Sequence, residues 1–157
     1  MTYIKKYIRF LASFGITENN FNDEKEKLTK KFHKPASDGD TLWALFNLVI
    51  LKNTDIQILK SIYHLMALYL NEEGRDSFNE NATAAKLELK FLKEHGAKKV
   101  EILVNSGCVQ CQKNNGCIFD IDVALDKMPV PNAKCTYDLD GKGNSFCRCT
   151  YLPAVDI

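Results

Sequence analysis

Apolar residues recur at helical spacing through most of the first 96 residues, and the period then changes. Near the N-terminus Ile4, Tyr7, Ile8, Leu11 and Phe14 share one face of a helix. A polar stretch from Asn22 to Lys34, dense in Lys and Glu, reads as a solvated helix or loop that stops at Pro35. Ser37 to Asp40 forms a loop able to cap a helix over 41–52, with Leu42, Leu45, Phe46, Val49 and Ile50 inward. Thr54 and Gln57 have capping-box spacing. They predict a helix over 55–70 with Ile58, Leu59, Ile62, Leu65, Met66 and Tyr69 toward the core, ended by Asn71 to Gly74. A further helix over 81–95 uses Ala84, Leu87, Phe91 and Leu92, and Gly96 stands where a left-handed C-cap belongs.

Beyond that point the signals are those of strands and turns. Residues 99–104 are β-rich, and Ile118 and Phe119 predict a second strand. A short helix over 120–128 is capped by Asp120 and stopped by Pro129, and 131–134 is a loop. Residues 138–145 are rich in turn formers, and 146–152 predict a closing strand. The expected class is α+β: an N-terminal helical bundle over 1–96, then a small zinc-stabilised β-hairpin/helix module over 97–157 that is rich in Cys and binds metal.

Length and composition narrow the picture. The chain has 157 residues, 45% of them hydrophobic, which suffices for a packed core and argues against disorder. A net charge of +1 provides no global field for nucleic acid or an anionic membrane. Lys5, Lys6 and Arg9 interrupt the first apolar run and no small-residue cleavage site follows, so this segment reads as a packed helix and not a secretory signal. The apolar stretches 42–51 and 56–70 are too short or too mixed to span a bilayer. The expected location is cytoplasmic, where thiols stay reduced.

That expectation matters because all six cysteines lie after residue 107. Cys108 and Cys111 make a C-x-x-C pair, Cys147 and Cys149 a C-x-C pair, and Cys117 and Cys135 stand between them. Each pair offers two sulfurs from one short backbone segment, and the intervening loop lets the pairs converge on a tetrahedral ion. Gly107 eases the tight backbone before Cys108. Residues two apart in a strand face the same side, so Cys147 and Cys149 can both reach one ion. Cys108, Cys111, Cys135, Cys147 and Cys149 are thus five candidates for four positions, with Cys117 a bystander in a hairpin. The expected cofactor is one structural Zn²⁺ per chain; iron, alone or in a cluster, suits the same thiolate chemistry.

Competing chemistries fit less well. A thioredoxin-like C-x-x-C opens a helix, whereas Cys111 is followed by a turn sequence. Residues 138–149 start like a calcium loop but offer Lys142 and Cys149 where oxygen ligands are required, so a hairpin turn is expected. His33, His64 and His95 lie outside the cysteine module. Lys98, Lys99, Lys113, Lys127, Lys134 and Arg148 compose a possible phosphate patch, but Glu101, Asp120, Asp122, Asp126, Asp138 and Asp140 cancel it.

With these motifs in place, residues 82–153 resemble the C-terminal cysteine domain of phage head-morphogenesis (Mu F-like minor head) proteins. The likeness rests on the C-x-x-C of Cys108 and Cys111, a Gly turn with an aromatic at Gly116 to Phe119, a Pro-containing loop at 128–131, and Cys147-Arg148-Cys149 followed by Pro153. Cys135 takes the place of that family's loop histidine, residues 138–145 are inserted, and the larger N-terminal head-protein region is missing. The resemblance implies Cys108, Cys111, Cys135 and Cys147 as ligands, with Cys149 the leading substitute. The metal site carries over from that family and the capsid role does not; the expected function is a non-enzymatic, phage- or prophage-related module for contact with a protein partner or a second copy. A nucleic-acid-binding zinc protein and a C-x-x-C redox enzyme are the alternatives.

Overall fold

The structure is a computed structural model that describes residues 3–106 and 108–155. Gly107, expected to ease the backbone before Cys108, lies outside the described residues. The class is α+β, with seven α-helices and a small three-stranded antiparallel sheet among the described residues. No helix there is long and apolar enough to cross a membrane.

The chain divides into two compact units between Thr54 and Asp55. The step from helix to strand expected near residue 97 falls inside the second of them.

The first unit holds α1 (Tyr3–Ala12), α2 (Glu18–Phe32) and α3 (Asp38–Lys52). Ile4, Tyr7 and Leu11 of α1 are buried, while Ile8 and Phe14 are only half-buried. Tyr7 meets Phe46 of α3 edge to face, with ring centroids 6.2 Å apart. The polar stretch is helical, as α2, and ends at His33 in the left-handed conformation (φ 54°). Ser37 caps α3, its hydroxyl accepting the Asp40 N–H at 3.0 Å.

The second unit begins with α4 (Ile56–Glu72) and α5 (Phe78–Glu94), which pack against each other. The cap of α4 is Asp55 and not Thr54: its carboxylate accepts the N–H groups of Gln57 (2.8 Å) and Ile58 (3.3 Å). A carboxylate outdoes a hydroxyl there because it accepts two orphan donors and sets a full charge against the positive helix end. Asp55→Ala is therefore expected to cost about 1 kcal/mol in chemical denaturation. α5 starts three residues earlier than expected, where Asp76 accepts the Phe78 N–H.

After α5 come β1 (Lys99–Leu103), α6 (Val109–Gln112), β2 (Ile118–Asp120), α7 (Ile121–Lys127) and β3 (Thr150–Pro153). The sheet order is β2-β1-β3, with Glu101 opposite Ile118 on one side and Leu152 on the other. Val100 and Ile102 point into the core by the strand's period of two. There they join Leu89 of α5, Ile121 and Ala124 of α7, Val130, Tyr151 and five cysteines. The Tyr151 hydroxyl accepts the Val130 N–H at 3.0 Å, which fastens the loop after α7 to β3.

Two sequence expectations change here. Residues 109–112 form one helical turn. The closing strand begins at Thr150, four residues later than expected, because its partner β1 ends at Leu103 opposite Thr150. With no ladder left to join, the carbonyls of Cys147 and Arg148 accept the side-chain amides of Asn81 (3.0 Å) and Asn105 (3.2 Å).

Candidate metal centre

Three segments converge on the site. Cys108 is the N-cap of α6 and Cys111 lies within it, so one helical turn presents two sulfurs. The loop after α7 delivers Cys135, and the segment before β3 delivers Cys147 and Cys149. Asn132 joins these pieces: its side-chain amide donates to the Gln110 carbonyl (3.2 Å), its backbone N–H to the Cys147 sulfur (3.3 Å), and its carbonyl accepts the Cys135 N–H (3.0 Å).

The five sulfurs fall into two triads that share Cys111. Cys108, Cys111 and Cys135 have sulfurs within 4.8 Å of one another, as do Cys111, Cys147 and Cys149. All five are buried, Cys111 completely. All are free thiols, and these are the sulfurs close enough to hold a metal ion. The Cys111 and Cys147 sulfurs are 3.9 Å apart. A zinc ion with four thiolates at about 2.3 Å has tetrahedral edges of about 3.8 Å, which the Cys111–Cys147 pair matches, while no four of the sulfurs all lie within 4.8 Å of one another.

The backbone prepares the sulfurs to carry charge. Thr136 donates its N–H to the Cys108 sulfur at 3.3 Å, and Tyr137 donates to Cys135 at 3.5 Å. With Asn132 on Cys147, three of the five sulfurs receive a peptide N–H. These donors went unseen in the sequence because a backbone amide carries no side-chain signature. The proline before Asn132 marked only a loop.

The thiols respond in opposite directions. The Thr136 N–H lowers Cys108 to about 6 from an ordinary value of 9.0. Burial raises Cys111, and pushes Cys135 up to about 11 and Cys149 up to about 12. A sign follows for the metal-free chain. Cys108 contributes stability that is present above about 9 and is lost as pH falls through about 6. The three raised thiols contribute stability that is present below about 9 and is lost as pH rises toward 11 and 12. Thermal melts of chelated protein are expected to peak near pH 9 on this account. With metal bound the acid limb steepens, since protons compete with the ion for the sulfurs.

The remaining sequence candidates are elsewhere. Cys117 is half-buried, its sulfur 3.9 Å from the Lys113 carbonyl, and it belongs to neither triad. Asp138 spends its carboxylate on the N–H groups of Lys142 (3.1 Å) and Gly143 (2.7 Å) of its own hairpin. His95 stacks on Phe91 at 4.0 Å, and His64 meets Phe146 edge to face at 6.2 Å. Arg148 sits over the Tyr137 ring at 5.8 Å and donates to its hydroxyl at 3.4 Å. Comparison of the chain with protein-family models, curated proteins and solved structures yields no match.

Proposed function

We propose that this is a non-enzymatic zinc-binding protein whose second unit holds one structural Zn²⁺ through Cys108, Cys111, Cys135 and Cys147. The observation that carries the reading is the gathering of buried sulfurs around Cys111, with peptide N–H groups aimed at Cys108, Cys135 and Cys147. Such hydrogen bonds stabilise thiolates, the form in which cysteine binds metal. A closed tetrathiolate site supplies folding free energy and leaves no coordination position for substrate. The module's role is then contact with a protein partner or a second copy, in line with the phage-head resemblance of its cysteine and proline pattern.

The test is metal analysis of the full chain purified without added metal, with thiols counted before and after chelation. One zinc per chain and four thiols that react only after chelation support the reading. A metal-free chain with six reactive thiols overturns it.

A C-x-x-C redox enzyme is the second reading, favoured by the position of Cys108 at the start of a helical turn and by its lowered pKa. Against it, Cys108 is only 4% exposed, and Cys111 is surrounded by further sulfurs that a two-thiol redox site does not use.

A further inference from the structure

Zinc takes four thiolates, and five converge here. Cys149 is the one left over. Cys108, Cys135 and Cys147 each accept a peptide N–H, and Cys111 belongs to both triads. Cys149 has neither property, yet its sulfur lies within 4.8 Å of those of Cys147 and Cys111.

It also lies on a route from solvent. A cavity of about 650 Å³ opens between α4, α5 and the segment leading into β3. Cys147 and Cys149 line it beside His64, Ala84, Phe146 and Tyr151, whereas Cys108, Cys111 and Cys135 do not. A small oxidant that enters the cavity therefore meets the C-x-C pair first.

We infer that Cys147 and Cys149 form a peroxide-sensitive modification site, in which Cys149 acts as the resolving thiol for the metal ligand Cys147. The inference rests on the zinc reading given above and adds a regulated release to it. The Cys147 thiolate attacks one oxygen of hydrogen peroxide, which yields a sulfenic acid at Cys147 and hydroxide. The Cys149 thiol then condenses with that sulfenic acid, forming the S–S bond and releasing water. The two electrons lost by the sulfur pair are those that reduce the peroxide. Cys147 is no longer a thiolate, so the ion is left with three protein ligands and dissociates. Because the product is a disulfide and not a higher oxide, a dithiol reductant restores both sulfurs and zinc rebinds.

The experiment uses the zinc-loaded full chain, hydrogen peroxide as oxidant and then dithiothreitol with fresh zinc. Zinc release is followed with a chromogenic chelator, and modified cysteines are identified by peptide mass. The wild-type chain is expected to release its zinc, show a Cys147–Cys149 disulfide and recover binding on reduction. Cys149→Ser and Cys149→Ala are expected to hold zinc before oxidation. After it they accumulate sulfinic acid at Cys147, and their recovery is lower by roughly tenfold. Recovery equal to wild type in both variants overturns the proposal. So does failure of both variants to bind zinc while wild type binds it, since Cys149 is then a ligand and zinc binding stands with a ligand set other than the one proposed. A wild-type chain without zinc is a different pattern, which removes the zinc reading and this proposal together.

Discussion

Cys111→Ser is expected to abolish metal binding and unfold the cysteine module, at a cost on the order of 10 kcal/mol, the scale of structural zinc binding. Cys111 is fully buried and is the one sulfur common to both triads. Its loss therefore disables the site whichever of Cys147 or Cys149 completes the set, so the outcome does not depend on that choice. A serine hydroxyl is a poor ligand at neutral pH and, without metal, sits as an ill-matched polar group among Val100, Ile102 and Leu89. Metal analysis combined with amide hydrogen exchange across β1 reads both effects. Cys117→Ser is the control. Its sulfur stands apart from both triads, so metal content is unchanged and stability shifts by no more than about 0.5 kcal/mol. Equal losses in the two variants, or none in either, would contradict the assignment of the site.

Leu89→Ala is expected to cost about 2–5 kcal/mol, the range for emptying a fully buried leucine site. Leu89 is completely buried on α5 and packs in the same cluster as the sheet residues and the five cysteines. The cavity would open where the helix meets the sheet, a junction that local rearrangement cannot easily refill. Metal would stay bound at room temperature, because no ligand is touched. The denaturation midpoint would fall with little change in its slope, and chelation would then unfold the variant more readily than wild type. Leu51→Ala supplies the contrast: Leu51 is 83% exposed, and its truncation is expected to stay within about 0.5 kcal/mol. A Leu89→Ala chain as stable as wild type would show that the cluster is not a packed core.

Leu89 also illustrates what one-dimensional reading misses. The 3.6-residue pattern named Ala84, Leu87, Phe91 and Leu92 as the inner face of α5 and passed over Leu89, yet Leu89 and Ala84 are its buried residues. Ala84 faces the cavity wall and Leu89 the sheet. A helix packed on two sides buries a wider arc than a single stripe suggests. At Thr54 and Asp55 the cap's location was plain, but its identity turned on which side chain reaches two N–H groups.

For α1, α3, α4, α5, α7 and the first two strands, periodicity and turn residues were enough to show the element, whereas the sequence of α6 reads as a turn and that of α2 as helix or loop. Each is determined by contacts within a few residues, and its signal is written in consecutive side chains: Val100 and Ile102 alternate, and Gly96 ends α5 with φ 89°. The spacing of the cysteine pairs likewise announced sulfurs close enough to hold a metal ion, and Cys117, set aside as a hairpin residue, lies outside both triads. Convergence was another matter. That Cys111 stands at the centre of two triads, that Asn132, Thr136 and Tyr137 turn their amides toward sulfur, and that the C-x-C pair lines a cavity depend on distant segments meeting, as Asn81 meets the Cys147 carbonyl across 66 residues. Backbone donors look alike in every sequence. Only packing chooses which of them reaches a given sulfur, and so which thiol is left without one.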